Sequence, residues 1–330
     1  MDVFEWIRRE LRPRPSNSEE LVYDHMESQS ERSLPLIYQP FDVMKKSHWR
    51  DRGAAYDYLY STEGAHKRLL DFGPGDGWPS LIVAPFAAQV IGVEGSHRRV
   101  EVCTQNAARL GITNADFVYV APGTRLPFED GTFDGVMAAS SVEQTPDPRA
   151  TLAELFRVLR PAGRLRIAYE SLNRYRDGRQ RDFWLYSIDS CRCGLILEDR
   201  DIEGERAIRY GLTYAMACEE LKAAALDKSG DLDLENISVS LLEGTRGSLI
   251  DARLCATIHP SSRTLGAWLG DIGFSEIMPT HSGIHAAGQL FDNWPPEEWP
   301  KDMESLDRLL MPIVDTPAPV ELDPMITARK

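Results

Sequence analysis

Long apolar runs are missing from this chain of 330 residues; the stretch Leu81 to Val93 is interrupted and too short to span a bilayer, which takes about 20 apolar residues. The opening, Met1-Asp2-Val3-Phe4-Glu5-Trp6, is acidic and aromatic and lacks the basic-then-apolar order of a secretory signal. A soluble cytoplasmic protein with no membrane contact is therefore expected. Cysteine is scarce: Cys103, Cys191, Cys193, Cys218 and Cys255 are odd in number and irregularly spaced, which argues against a disulfide framework and fits a reducing compartment. The paired ligand spacing of structural zinc is absent, and no metal is expected. Cys191-Arg192-Cys193 would put two thiols on one face of a strand, able to hold a soft metal or metalloid with Cys218 or Cys255, but a packing role outweighs this. Basic residues are outnumbered, 37 Lys and Arg against 51 Asp and Glu, and a net charge of -14 withholds the cationic surface that nucleic acid requires. Arg174, Arg176, Arg179 and Arg181 cluster locally and read as a solvated loop. Internal repeats and long low-complexity tracts are also lacking.

What the chain does have is a glycine turn. In Arg68-Leu69-Leu70-Asp71-Phe72-Gly73-Pro74-Gly75-Asp76-Gly77-Trp78-Pro79, the apolar start reads as a buried strand and the three glycines as a tight turn. Trp78-Pro79 then reads as the opening of a helix, with proline at its first position. Glycine leaves no side chain where backbone amides approach a ligand, and a helix N-terminus adds a weak positive end. The spacing is G-x-G-x-G, with Trp78 where a dinucleotide fingerprint needs its third glycine. A nicotinamide-dependent oxidoreductase is thereby disfavoured.

Before the turn, residues 1–66 read as mostly helical. Ser16-Asn17-Ser18-Glu19-Glu20 resembles a helix start ahead of Leu21, Val22 and Met26; Pro35 and Pro40 break the chain, and a second helix is expected from about Val43 to Tyr60. After it, strands are expected at Gln89–Glu94, Phe117–Val120, Phe133–Ala138 and Arg164–Tyr169. Between them, Ser96 would cap a helix carrying Val100, Cys103, Ala107 and Leu110 up to Gly111. Asp147-Pro148 would open a helix with Leu152, Leu155, Val158 and Leu159 on one face, ended by Pro161 and Gly163. Such alternation implies a parallel sheet with ligands at the carboxyl ends of its strands. The rhythm fails from about 171 to 262, where strands are expected at Cys193–Leu197 and Ile237–Leu242 and a helix from about Thr213 to Leu226. It resumes with a helix at Thr264–Leu269, a strand after Gly273, a helix at Met303–Met311 and a closing strand at Met325–Ala328.

Four blocks in this order resemble the class I S-adenosylmethionine-dependent methyltransferases, in particular the branch that methylates small molecules. They are Leu70-Asp71-Phe72-Gly73-Pro74-Gly75-Asp76-Gly77; Gly92-Val93-Glu94-Gly95; Leu126-Pro127-Phe128-Glu129-Asp130-Gly131-Thr132-Phe133-Asp134; and the stretch Leu155 to Leu165. The resemblance implies an α/β fold, a doubly wound, mostly parallel, seven-stranded Rossmann-like sheet with N-terminal helices and an inserted cap after the fifth strand. It divides the chain into an N-terminal helical cap (1–66), a cofactor-binding core (67–170), an inserted substrate or cap region (171–262) and a return to the core sheet plus a C-terminal tail (263–330).

The implied activity is methyl transfer from S-adenosylmethionine to a small-molecule acceptor by in-line displacement, leaving S-adenosylhomocysteine. The implied cofactor residues are Asp71, Gly73, Pro74, Gly75, Gly77, Glu94, Gly95, Gly123, Thr124 and Ser140. Among them Glu94 would accept from the ribose hydroxyls, and Asp71 would hold the turn or reach the methionine ammonium. Two positions depart from the family pattern: Pro122 stands where relatives place an acid for the adenine, and Gln144 where many have a histidine. A base is needed only if the acceptor must lose a proton. Candidates are Tyr169, Glu170, His259, His281 and His285, and for each a structural role outweighs a catalytic one; Ser282-Gly283 argues against a helix between the last two. A non-catalytic cofactor-binding regulator is the rival from another class. Acceptor identity and oligomeric state are not encoded legibly.

Overall fold

The computed structural model describes residues 2–16, 21, 44–178, 180–226 and 237–330. The helix start expected around 16–26 and the break at Pro35 and Pro40 lie almost wholly outside these residues, as does Arg179 of the arginine cluster. The chain separates into two compact units, one drawn from Met1–Gln29 and Leu172–His259, the other from Ser30–Ser171 and Pro260–Lys330.

Strands in chain order are β1 (Arg14–Pro15), β2 (Arg68–Phe72), β3 (Gln89–Glu94), β4 (Ala115–Tyr119), β5 (Phe133–Ala139), β6 (Leu159–Ala168), β7 (Arg181–Ser187), β8 (Cys193–Asp201), β9 (Arg206–Tyr214), β10 (Leu249–Ile258), β11 (Ser275–Thr280) and β12 (Met325–Arg329). Helices are α1 (Val3–Trp6), α2 (Lys46–Ala54, continued by a π turn Ala55–Tyr60), α3 (Ser80–Val83), α4 (His97–Leu110), α5 (Pro148–Val158), α6 (Cys218–Ala225), α7 (Val239–Thr245), α8 (Ser262–Ile272), α9 (Gly283–Asn293) and α10 (Met303–Val314).

The larger unit is built on a seven-stranded sheet, order β11-β12-β6-β5-β2-β3-β4. Strands β2 to β6 run parallel, and β12 is antiparallel to both of its neighbours. Alternate residues serve opposite faces. Leu70, Ile91, Val93, Val136 and Ile167 pack with Leu152, Leu155 and Val158 of α5 and Leu265 and Leu269 of α8, whereas Leu69, Val90 and Met137 pack with Leu59, Leu81, Val83 and Ala107. A parallel sheet covered on both faces therefore reads as near-continuous apolar strands. Each fully buried leucine of this kind contributes about 1.5–3 kcal/mol. Against the second face sits a helical group in which Trp49, Tyr56, Phe291, Leu306 and Leu310 meet.

Several boundaries differ from expectation for local reasons. The helix after the glycine turn is a single turn, Ser80–Val83, with Pro79 just before it rather than inside it. Helix α5 stops at Val158, and Leu159, Pro161 and Gly163 belong to β6, whose pairing with β5 is irregular between Phe133 and Gly135. Ser282 does not break a helix but caps α9, its Oγ accepting from the His285 amide 3.2 Å away.

The smaller unit is a five-stranded sheet, order β1-β10-β9-β8-β7, antiparallel except for the β1–β10 pair. Residues 206–214 form β9, and only Cys218–Ala225 of the expected helix is helical. Tyr210, Leu212 and Tyr214 recur with period two and bury one face against Phe4, Trp6 and Ile7, which is strand behaviour. Ile237–Leu242 is not a strand: Ser238 caps α7 by accepting from the Leu241 amide at 3.2 Å. Among the described residues no helix is long and apolar enough to cross a membrane.

Candidate functional site

The site is assembled at the carboxyl ends of β2, β3, β4 and β5. After β2 the chain enters the left-handed region at Gly73, Gly75 and Gly77, with φ of 75°, 60° and 103°. Glycine is required at Gly73 because a Cβ there would lie 2.4 Å from Cβ of Ser141. At Gly75 an added Cβ would meet nothing within 4 Å, so the backbone of this residue borders open space. The turn is tied down at every step. Gly73 donates to the Val93 carbonyl (2.9 Å), Gly77 to the Pro74 carbonyl (2.9 Å), and the Gly75 carbonyl accepts from Sγ of Cys103 (3.1 Å). Nδ2 of Asn106 donates to the Asp76 carbonyl at 2.9 Å, and the Asp76 carboxylate pairs with Arg99. Burial pushes the Cys103 thiol up, so it stays a neutral donor rather than a nucleophile.

Glu94 ends β3 and is 4 % exposed. Its Oε2 accepts from the Gly75 amide at 2.9 Å, and its Oε1 from the amides of Gly95 (2.8 Å) and Ser96 (3.3 Å). One carboxylate thus joins the glycine turn to the β3–α4 connection, while Oγ of Ser96 caps α4 by accepting from Arg99.

Asp71 is fully buried inside β2. Its Oδ2 accepts from the amide (3.1 Å) and hydroxyl (2.5 Å) of Ser80, but its Oδ1 is buried without a hydrogen-bond partner. Burial outweighs the Ser80 bonds and raises the carboxyl to about 7, with the nearby Glu94 charge adding to the shift.

The other walls come from two loops. Gly123, at φ 74°, lies in a turn where Thr124 donates through its amide (3.2 Å) and hydroxyl (2.5 Å) to the Ala121 carbonyl. This turn adjoins Glu94 because the Val120 amide donates to the Glu94 carbonyl at 3.0 Å. At the end of β5, Ser140 is exposed and holds φ 52°, unusual for a residue with a side chain, while its amide donates to the Ala168 carbonyl at 2.9 Å.

Comparison with known proteins adds a family to this geometry. Residues 70–167, running from β2 into β6, match the family model described as a methyltransferase domain. These residues are similar to that family. The chain is 37% identical over 103 residues to the demethylmenaquinone methyltransferase of Clavibacter sepedonicus, covering 31% of this chain and 41% of that protein. It is 31% identical over 140 residues to sterol 4-C-methyltransferase strm-1 of Caenorhabditis elegans, covering 42% and 41%. To the ubiquinone/menaquinone biosynthesis C-methyltransferase UbiE of Geotalea daltonii it is 32% identical over 130 residues, covering 38% and 54%. The matched region thus spans about half or less of these relatives' lengths. Among solved structures, the CcbJ methyltransferase of Streptomyces caelestis matches over 93% of both chains at 13% identity, with a TM-score of 0.46.

Of the acid–base candidates, Tyr169 lies just beyond the matched residues 70–167, its hydroxyl bonded to Oγ of Ser262. His281 and His285 are exposed, and the His281 carbonyl accepts from Arg166 at 3.2 Å. His259 belongs to the smaller unit, where it is buried with Nε2 3.0 Å from Oγ1 of Thr257. Glu170 donates its amide to the buried Glu143 carboxylate at 2.8 Å. Among the described residues no three His, Cys, Asp or Glu side chains cluster to hold a metal ion.

Sequence reasoning missed the supports of the glycine turn. Ser80, Arg99, Asn106 and the Cys103 thiol all brace it, and the signal available was the helical spacing of 99, 103 and 106 along α4. Also missed were the Tyr58 ring, edge-on to Trp78 of the turn at 5.8 Å between centroids, and the parallel stack of His97 on Tyr119 at 3.6 Å.

Proposed function

We propose that the chain is an S-adenosylmethionine-dependent methyltransferase that acts on a small-molecule acceptor. The observation that carries this reading is the coincidence of the methyltransferase-domain match with the hydrogen-bonded hub of Gly75 and Glu94. The residues fit the cofactor. Gly75 borders open space that any side chain would invade. Asp71 has an unpartnered oxygen for the ammonium of the methionine half, and Glu94 is a buried carboxylate with acceptor capacity for ribose hydroxyls. Gly73, Pro74, Gly77 and Gly95 shape the backbone around these groups, with Gly123, Thr124 and Ser140 on the adjoining loops.

S-adenosylmethionine supplies an electrophilic methyl carbon on a sulfonium. The chain's own work is to bind it, to align an acceptor atom behind the methyl carbon and to exclude water, because an in-line displacement gains most from orientation. For an acceptor that must release a proton, we assign Tyr169 ahead of His259 and His281, because it follows β6 directly at the carboxyl end of the sheet. Acceptor specificity is assigned to the inserted region 171–262 together with the N-terminal segment 1–66, which lie outside the residues matched by the family model. All five cysteines are free thiols, which suits the cytoplasm.

The test is calorimetric titration with S-adenosylmethionine and S-adenosylhomocysteine, followed by mass-spectrometric detection of methylated product across amine, phenol, thiol and carbon acceptors. Absence of binding to either ligand would refute the reading. Binding without turnover on any acceptor would favour a non-catalytic regulator.

A further inference from the structure

Over β6, β12 and β11 of the seven-stranded sheet lies a cavity of about 390 Å³, lined by Arg164, Arg329, Glu276, Ile277, Met278 and Thr327 among others. Its size falls within the range of small-ligand sites, about 300–1,000 Å³. Arg164 pairs with Arg329 in the β6–β12 ladder and with Gly135 in the β5–β6 ladder, and Gly135 in turn stands beside Leu69 of β2. This register sets the cavity level with Leu69, toward the amino ends of the parallel strands and away from the candidate site. Cations gather here, although the chain as a whole carries a net charge of -14. Nε of Arg164 lies 3.0 Å and Nη2 of Arg329 3.4 Å from the same oxygen, Oε1 of Glu63, and Nζ of Lys67 lies 3.8 Å from Oε2 of that residue. Arg329 also pairs with Glu276 at 2.8 Å and donates to the Ala162 carbonyl at 3.0 Å. Three cations thus share two carboxylates, Glu63 and Glu276, both exposed. Among the described residues the two terminal nitrogens of Arg164 have no acceptor.

We propose that this cavity binds a small organic carboxylate, its charged end on the guanidinium groups of Arg164 and Arg329 and its apolar body on Ile277 and Met278. A guanidinium presents parallel N–H donors that match the two oxygens of a carboxylate, and Arg164 has its terminal pair to offer. Glu63 demonstrates the fit, since its carboxylate already bridges the two arginines while engaging Arg164 through Nε alone. One positive charge of the cluster is left over, and a monoanion neutralises it. Ile277 and Met278 are half-buried on the edge strand β11, so covering them rewards a ligand with an apolar body. The cavity draws nothing from the glycine turn, and the inference holds whether or not the chain transfers methyl groups.

The test titrates the full-length chain, carrying ¹³C-labelled isoleucine and methionine methyl groups, with benzoate and with its uncharged counterpart benzamide. Benzoate is expected to shift the Ile277 and Met278 signals saturably, and benzamide to bind at least about tenfold more weakly, as loss of a charged hydrogen-bond partner dictates. Arg164→Gln and Arg329→Gln are each expected to weaken benzoate by about tenfold. Glu63→Gln is expected to strengthen it by about fivefold, the effect of removing one like charge about 4 Å away in water. The remaining isoleucine and methionine signals report whether each variant keeps the fold. Arg164→Lys retains the charge without the fork and is expected to lose about threefold, which keeps the idea testable if the glutamine variant fails to fold. Absence of saturable shifts at Ile277 and Met278 would overturn the site, as would benzamide binding as tightly as benzoate. Unchanged benzoate affinity in Arg164→Gln, or weaker binding in Glu63→Gln, would overturn the proposed recognition of charge.

Discussion

Asp71→Asn is the substitution that most directly tests the chemistry under the glycine turn. The carboxyl is fully buried, and burial lifts it from the ordinary 3.8 to about 7. Below about pH 4 the group is protonated in both folded and unfolded chains and has no effect on stability. As pH rises from about 4 to about 7, the unfolded chain loses the proton while the folded chain keeps it, so stability falls through that window. Above it the loss is complete. The shift is about three units, and at 1.36 kcal/mol per unit it corresponds to roughly 4 kcal/mol at pH 8. Asparagine keeps an acceptor for Ser80 and carries no charge, so the variant should recover part of this, about 1–3 kcal/mol at pH 8, and gain nothing at pH 4. Urea unfolding of parent and variant at pH 4, 6 and 8 measures it. At pH 8, where the carboxyl is ionised, the same substitution should weaken S-adenosylhomocysteine by about tenfold, since it removes a charged acceptor from the proposed ammonium contact. A variant that is less stable than the parent at pH 8, or a stability difference independent of pH, would refute the assignment of a buried, proton-retaining carboxyl.

Glu94→Ala should weaken S-adenosylhomocysteine by about 1–3 kcal/mol, the range for hydrogen bonds to a charged group, and calorimetry showing unchanged affinity would mislocate the ribose. Gly75→Val should fold with a penalty of about 1–2 kcal/mol for a side chain at positive φ and should abolish detectable binding in the same titration. Asp57→Ala should cost about 3–5 kcal/mol in urea unfolding, because Arg166, fully buried and 3.0 Å from Asp57, would lose its counter-charge, and the amides of Gly283 and Ile284 would lose their acceptor. Tyr169→Phe should lower kcat with little change in cofactor affinity if the acceptor is a phenol or ammonium; equal kcat on such an acceptor would remove Tyr169 from proton handling.

How much of this was legible depended on whether the deciding interactions are local. The core strands β2, β3 and β5 and the caps at Ser96 and Asp147 are readable because apolar periodicity and cap chemistry act within a few residues. The glycine turn is readable for the same reason, since positive φ selects glycine at Gly73, Gly75 and Gly77. The smaller unit was less legible because the sheet face opposite its apolar core carries charges: Glu198 and Arg200 on β8 and Arg209 on β9 form ion pairs. Their partners are set by strand pairing, which no local pattern records.

By itself, then, the sequence determined the parallel core, the positions of Asp71, Gly75 and Glu94, and the family resemblance carried by four ordered blocks. Only the tertiary structure decided that Glu94 reaches back to the Gly75 amide, that one oxygen of Asp71 is left without a partner, and that His97 lies flat on Tyr119. It also decided that Asp57 caps α9 while neutralising Arg166, residues 109 positions apart. The physical reason is common to all four. Hydrogen-bond satisfaction, desolvation and ring stacking depend on which atoms the folded chain brings within a few ångströms, and that proximity is a property of the assembled fold, not of the order of residues along the chain.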